Sequence, residues 1–369
     1  MWIATYIYIL IVSCALTIVF VKISMKLAVR FNVLDSPSSR KVHINPTPLL
    51  GGLGIFAGLT ITVLAHYYGI ILASALKLET LFPFLNQLYI YIPGMRSVQP
   101  MITGIFGCGF ILFLIGLYDD KYGLSAKLKF LFEIVIALVI IHFFHIRITL
   151  FVKNTAFSYI VTVLWIVGIT NSFNLLDNMD GLSAGVALIS AGVFFIAAVS
   201  AGQLFVGLFL IAFIGVMIGF LRFNFPPAKI FMGDAGSLFI GFTLSVLTIL
   251  GTYYIKGSAH LYPIFMPVLI LGVPIYDTFS VIVIRIKNKE SIFKADRNHF
   301  SHRLSRLGMS HAGVAWFIYL VTFCVAINAI LLPTLREWGV LLIAIQTICM
   351  LSIITLLEYY GKINSNDKK

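Results

Sequence analysis

Asn171-Ser-Phe-Asn-Leu-Leu-Asp-Asn-Met-Asp-Gly-Leu-Ser-Ala-Gly185 closes one apolar run, over about 157–173, and opens another, over about 183–200. Asn171, Asn174, Asp177 and Asp180 recur every third residue. On a continuous helix such positions drift back by about 60° per step, so the first three share a face and the fourth leaves it. Asp180-Gly181 is a turn signal, which predicts a helix ending there and a new one starting near Ser183. Two apolar helices joined by a polar turn form a hairpin through a bilayer. Two carboxylates and two carboxamides then gather at its mouth, suited to a hydrated cation or a polar ligand. A polar interhelical seam with capping residues is the alternative reading of this segment.

The rest of the chain repeats that pattern. Of 369 residues, 60% are hydrophobic and 11% charged, and the mean hydropathy is +1.01. Apolar runs long enough to cross a bilayer fall at about 3–22, 51–73, 101–118, 129–146, 157–173, 183–200, 203–221, 235–254, 263–285, 313–333 and 338–357. The expectation is an all-α polytopic membrane protein of about eleven transmembrane helices. It forms a single integral membrane domain over 1–369, with a short polar tail at 361–369. The shorter alternating segments of a β-barrel are absent from the sequence. The four cysteines show no metal spacing.

A formal charge of +12 suggests nucleic acid, but its distribution excludes that partner. With the N-terminus outside, 20 of the 26 Lys and Arg residues fall on the inner connections, with none between 172 and 184. The positive-inside rule therefore predicts N-out and C-in, and a functional surface facing the cytoplasm.

Four further constellations lie on that side. Arg40, Lys41 and His43 sit in a Pro- and Gly-rich first loop, able to hold phosphates or to meet anionic lipid. Tyr118-Asp-Asp-Lys121 ends the third run. Paired carboxylates at a helix C-terminus repel each other and oppose its dipole, so Mg²⁺ or Lys121 is expected to compensate. In Lys229-Ile-Phe-Met-Gly-Asp-Ala-Gly-Ser237, Asp234 stands at the start of a new helix, as an N-cap or beside a phosphate site. The last loop holds Asp296-Arg-Asn-His-Phe-Ser-His-Arg303, where His299 and His302 are expected to share a helix face beside Arg297 and Arg303. No third zinc ligand accompanies them, which favours anion recognition. Asp277, alone inside an apolar run, should face a cavity or a partner, whereas Glu133 suits either the site or helix packing.

Aspartates, carboxamides and basic donors at a membrane edge suit metal-assisted phosphoryl transfer between a lipid phosphate and a soluble substrate. A cation-coupled transporter would also bury carboxylates, but near the midplane.

Tyr118-Asp-Asp120, Asn171 to Gly181, Phe231-Met-Gly-Asp-Ala-Gly-Ser237 and Asp296-Arg-Asn-His299, in that order, resemble the polyprenyl-phosphate N-acetylhexosamine-1-phosphate transferase family. The resemblance implies transfer of a sugar-1-phosphate from a UDP-N-acetylhexosamine to undecaprenyl phosphate, with release of UMP and with Mg²⁺ or Mn²⁺ as cofactor. It implies a multi-pass enzyme of the bacterial cytoplasmic membrane, a cytoplasmic active site and a homodimer. The phospho-N-acetylmuramoyl-pentapeptide transferase branch carries a triple histidine that this chain lacks. The pattern Asp296-Arg-x-His-x-x-His302 is similar to the branch that uses UDP-GlcNAc to begin O-antigen, enterobacterial common antigen or teichoic-acid linkage synthesis. Ser301 stands where that branch often has a histidine. By the resemblance, Asp119, Asp120 and Asp177 are the catalytic carboxylates, and Asp234 with Asp119 handles the metal. Arg40, Lys41, His43, Lys121, Asn171, Asn174, Asp180, Arg297, His299, His302 and Arg303 complete the expected substrate-binding set.

Overall fold

The computed structural model describes residues 2–35, 46–80, 82, 85–149, 154–251, 253, 262–291 and 299–366, with the side chains of the last helix as far as Ile353. Its helices are α1 Trp2–Arg30, α2 Gly51–Ala75, α3 Asn86–Tyr89, α4 Ile92–Tyr122, α5 Ala126–Phe144, α6 Thr155–Leu176 and α7 Leu182–Ser200. There follow α8 Leu204–Asn224, α9 Gly233–Leu250, α10 Met266–Ile270, α11 Gly272–Lys287, α12 Phe300–Arg306, α13 His311–Ala326 and α14 Glu337–Asn366. The only strands among the described residues are β1 (Leu34–Asp35) and β2 (Thr47–Pro48), a short antiparallel pair.

Helix α9 is the centre of the bundle. In its most apolar stretch 78% of residues are buried, against 17% in α1. It packs on α4, α6 and α2, while α8 lies between α1 and α7, and α11 between α6 and α13. Lipid offers no hydrophobic drive for helices to associate, so close approach through small residues replaces it. A Cβ on Gly116 of α4 would collide with the Ala235 backbone, and one on Gly52 of α2 with Gly236. Large apolar side chains such as Ile3, Leu164 and Trp316 are exposed on the outside of the bundle, where acyl chains would meet them.

Helix occupies each of the eleven expected runs, yet among the described residues eight helices are by themselves long and apolar enough to span, and a bent pair can supply a ninth. Helix α5 fails because it carries Lys127, Lys129 and Glu133, and the apolar stretch of α14 is Glu337–Ile353. The expected run 263–285 is not one helix. Tyr262–Ile270 and Gly272–Lys287 meet at 68°. Pro274 has no N–H for the carbonyl of Ile270 and its ring clashes there, so the chain restarts at Gly272. Helix α4 starts at Ile92, earlier than hydropathy suggests, because Arg96, Gln99 and Pro100 mask a helical extension beyond the apolar run.

Candidate active site

The ends of α4 and α6 and the starts of α5, α7 and α9 converge at one end of the bundle. The turn after α6 comes first. Helix α6 stops at Leu176, one turn before Asp180-Gly181, and Asp177 is its C-cap. Gly181 adopts φ +72° before α7 begins at Leu182. Buried Asn224 fixes this turn, accepting from Gly181 N at 3.0 Å and donating to Ile230 O at 2.9 Å. Tyr319 donates to Gly181 O at 2.6 Å. Asp180, expected to bind substrate, accepts with one oxygen from Ala228 N at 2.9 Å and so ties this turn to the α8–α9 connection.

The aspartate pair divides its work. Asp120 accepts from the backbone N–H groups of Asp234 (2.7 Å) and Ala235 (3.2 Å), so it caps α9 from a neighbouring helix. Gly233 takes φ +69°, and a Cβ there would lie 2.5 Å from Asp120 Oδ2. Asp234 is therefore not the N-cap. Its carboxylate points the other way, one oxygen accepting from Asn174 Nδ2 at 2.9 Å and the other meeting Lys129 Nζ at 2.6 Å. Asn174 also donates to Ser237 Oγ at 2.9 Å. Asp119 accepts from Leu124 N with one oxygen and meets Lys129 Nζ at 2.6 Å with the other.

Lys129 is the residue the sequence reading missed. The expected partner, Lys121, is exposed and lies over the Tyr122 ring, 5.2 Å from its centroid. Lys121 follows Asp120 directly, and side chains one residue apart on a helix point about 100° apart. Lys129 comes from α5, which reverses direction after the turn at Gly123, and so enters between the carboxylates. The available signal was a lysine and a glutamate, Lys129 and Glu133, four apart on an apolar helix whose one other Lys, Arg, Asp or Glu is Lys127. Glu133 is 3% exposed. It accepts from Asn171 Nδ2, which also donates to Val167 O at 2.9 Å, so Asn171 braces α6 against α5.

Asp177 meets no hydrogen-bond donor among the described residues. Loss of hydration pushes its carboxyl up to about 8, and the charges of Asp234 and Asp180 act in the same direction. A cation or a donor-rich ligand beside it would relieve both penalties.

The last expected cluster takes a different form. His299 lies outside α12, with extended ψ 149°, as its N-cap. It therefore does not share a helix face with His302. Its Nδ1 is 3.0 Å from Asp277 Oδ2, and Asp277 Oδ1 accepts from Phe300 N at 2.7 Å. Asp277 thus has its partner, as expected of a carboxylate within an apolar run. Ser301 donates to Asn178 Oδ1, and Arg303 Nη2 donates to Ser280 Oγ at 2.9 Å. His302 stands half-buried on α12. Arg40, Lys41, His43 and Arg297 lie outside the described residues.

The donor set can be weighed for a metal. Asp119 Oδ2 and Asp234 Oδ2 both lie 2.6 Å from one ammonium, which puts two carboxylate oxygens around a single cationic position. Among the described residues, no three His, Cys, Asp or Glu side chains are grouped to hold an ion unaided. Mg²⁺ commonly takes one or two protein carboxylates and completes its shell with phosphates and water. These residues fit that demand.

Residues 102–252, from α4 to the end of α9, match the family described as Glycosyl transferase family 4. That segment holds the Asp119, Asn174 and Asp234 motifs but not the His299 loop. A Bacillus subtilis (strain 168) protein named "Probable undecaprenyl-phosphate N-acetylglucosaminyl 1-phosphate transferase" is 38% identical over 97% of this chain and 93% of its own length. The Mycolicibacterium smegmatis decaprenyl-phosphate N-acetylglucosaminephosphotransferase is 31% identical over 82% of this chain and 76% of its own. A Bacillus mycoides phospho-N-acetylmuramoyl-pentapeptide-transferase is 30% identical, over 86% of this chain and 94% of its own.

Proposed function

This chain belongs to glycosyl transferase family 4, among the polyprenyl-phosphate N-acetylhexosamine-1-phosphate transferases, and on that footing we propose that the cleft between Asp119 and Asp234 moves GlcNAc-1-phosphate from UDP-GlcNAc to undecaprenyl phosphate. UMP leaves, and the lipid diphosphate sugar begins a cell-envelope glycan. The cleft lies at the cytoplasmic face of the bacterial inner membrane, where a soluble nucleotide and a lipid phosphate can meet. The carrying observation is the convergence of Asp119, Asp234, Asn174 and Lys129, from three helix ends and the first turn of α5, on one point.

Each residue has a physical task. Asp120 fixes the first turn of α9, and with it the direction of the Asp234 carboxylate. Asn174 holds one oxygen of that carboxylate and leaves the other turned to the cleft. Lys129 offsets the two negative charges and offers an ammonium to phosphate oxygens. Asp119 and Asp234, with Asp177 nearby, would hold Mg²⁺, which when bound neutralises diphosphate oxygens as charge shifts between them. The lipid phosphate oxygen then approaches the β-phosphorus in a site already shaped, so the protein supplies position and electrostatics. The test compares UMP release by the wild type with Mg²⁺, by the wild type with EDTA, and by Asp234→Asn with Mg²⁺. Release only in the first supports the reading, and equal release in all three refutes it.

A further inference from the structure

His299 belongs to the expected substrate-binding set, whereas its buried partner Asp277 has no assigned role. Asp277 is 1% exposed and His299 5%. A carboxylate buried this deeply within an apolar helix costs several kcal/mol unless every lone pair finds use. Asp277 uses both oxygens on one short stretch: Oδ1 on the Phe300 N–H at 2.7 Å, Oδ2 on His299 Nδ1 at 3.0 Å. The bend before Gly272 sets the direction of α11 and hence where Asp277 sits. Phe300 seats the joint from below, fully buried, with its ring 6.4 Å from that of Tyr276 and 6.3 Å from that of Phe317.

A carboxylate oxygen only accepts, so the proton between the two groups belongs to Nδ1. In the neutral ring this leaves Nε2 bare. Among the described residues Nε2 has no partner, and it is not one of the fully buried unpaired polar atoms, so it keeps an opening on an otherwise buried ring. A bare acceptor at such an opening can take a hydrogen bond from a donating ligand. We infer that Asp277 is a positioning residue that holds His299 as the Nδ1–H tautomer, so that Nε2 accepts a hydrogen bond from a hydroxyl or amide N–H of the sugar nucleotide. This rests on the transferase reading and sharpens it: the imidazole reads the sugar or nucleoside portion, and the diphosphate is left to the cations. Ser301 reinforces the placement by tying α12 to Asn178, beside Asp177. The sugar-reading ring and the carboxylate cleft are thereby held to one frame.

Asp277→Asn isolates the inference. The carboxamide oxygen still accepts from Phe300 N, while its NH₂ must face Nδ1. That reverses the tautomer and puts the proton on Nε2. Histidine ¹⁵N spectra of the detergent-solubilised full chain report which ring nitrogen carries hydrogen, with His299→Gln assigning the signal among the 8 histidines. The wild type should show Nδ1 protonated and Nε2 bare, and Asp277→Asn the reverse. A wild-type His299 with hydrogen on Nε2, whether alone or with Nδ1, overturns the inference and needs no variant at Asp277. In kinetics, Asp277→Asn should raise KM for UDP-GlcNAc about tenfold to a hundredfold, the range for a charged hydrogen bond lost, with a smaller effect on kcat. In a His299→Ala background the same change should alter KM less than about twofold, because Asp277 acts through the ring. Effects that multiply in the double variant would make Asp277 merely structural and overturn the inference. If the wild type releases no UMP, the transferase reading fails, while the spectra still decide the tautomer.

Discussion

Replacing Lys129 with methionine keeps the length and apolar stem of the side chain and removes the ammonium held between Asp119 and Asp234. Each contact is 2.6 Å, and the three side chains are 19%, 9% and 29% exposed. At an effective dielectric near 20, Coulomb attraction at that distance is roughly 6 kcal/mol per contact before desolvation. Much of this is offset by the cost of taking the ions out of water. Removing one partner of a buried pair typically costs about 3–5 kcal/mol, and a carboxylate here can limit the loss by taking up a proton. The lower end, about 3 kcal/mol, is therefore expected. For a chain of this length that corresponds to a melting temperature lower by roughly 3–6 °C. The assay is thermal unfolding in detergent followed by tryptophan fluorescence, with EDTA and then with Mg²⁺. If Asp119 and Asp234 are the metal carboxylates, Mg²⁺ restores the missing positive charge. It should then raise the melting temperature of Lys129→Met by more than that of the wild type, with about 2.7 kcal/mol available at a hundredfold excess over Kd. UMP release should stay low, since the ammonium offered to phosphate is gone. A variant that melts with the wild type in EDTA would rule out the Lys129 bridge, and one that ignores Mg²⁺ would rule out Asp119 and Asp234 as the metal carboxylates.

Two other perturbations test how the site is built. Asp120→Asn leaves one oxygen for two backbone donors, so the start of α9 should loosen by about 1–2 kcal/mol; faster amide exchange at Asp234 and Ala235 is the readout, and unchanged exchange would deny the cap. Gly116→Ala places a methyl against the Ala235 backbone. It should force α4 and α9 apart and lower both the yield of folded protein and UMP release, whereas Gly107→Ala, with open space at its Cβ, should do neither.

Much of this was legible in the sequence, and the exceptions have physical causes. Apolar periodicity placed the helices, since only intrahelical bonding satisfies the backbone in lipid. It could not show the bend before Gly272, because hydropathy does not register the missing N–H of Pro274. Charge bias gathered the polar motifs on one side, and the structure gathers Asp119, Asn174, Asp177 and Asp234 at one end of the bundle. Which carboxylate faces which neighbour was not legible. Asp120 and Asp234 look alike as residues, yet one reaches a backbone and the other a lysine 105 residues away. Lys129 was hidden because it opens an apolar run and reads as flanking charge. His299 read as helical by its spacing to His302. Its backbone is extended because Asp277, 22 residues earlier, takes both its ring and the next N–H.

In the proposed reaction a phosphoryl group moves with the sugar. Purified wild-type protein, Mg²⁺, undecaprenyl phosphate and UDP-GlcNAc labelled with ³²P at the β-phosphate measure this directly. Transfer of the sugar with its phosphate gives unlabelled UMP and a labelled lipid carrying two phosphates and one N-acetylhexosamine. Label released as UDP, with a lipid carrying a single unlabelled phosphate, would show transfer of the sugar alone and contradict it.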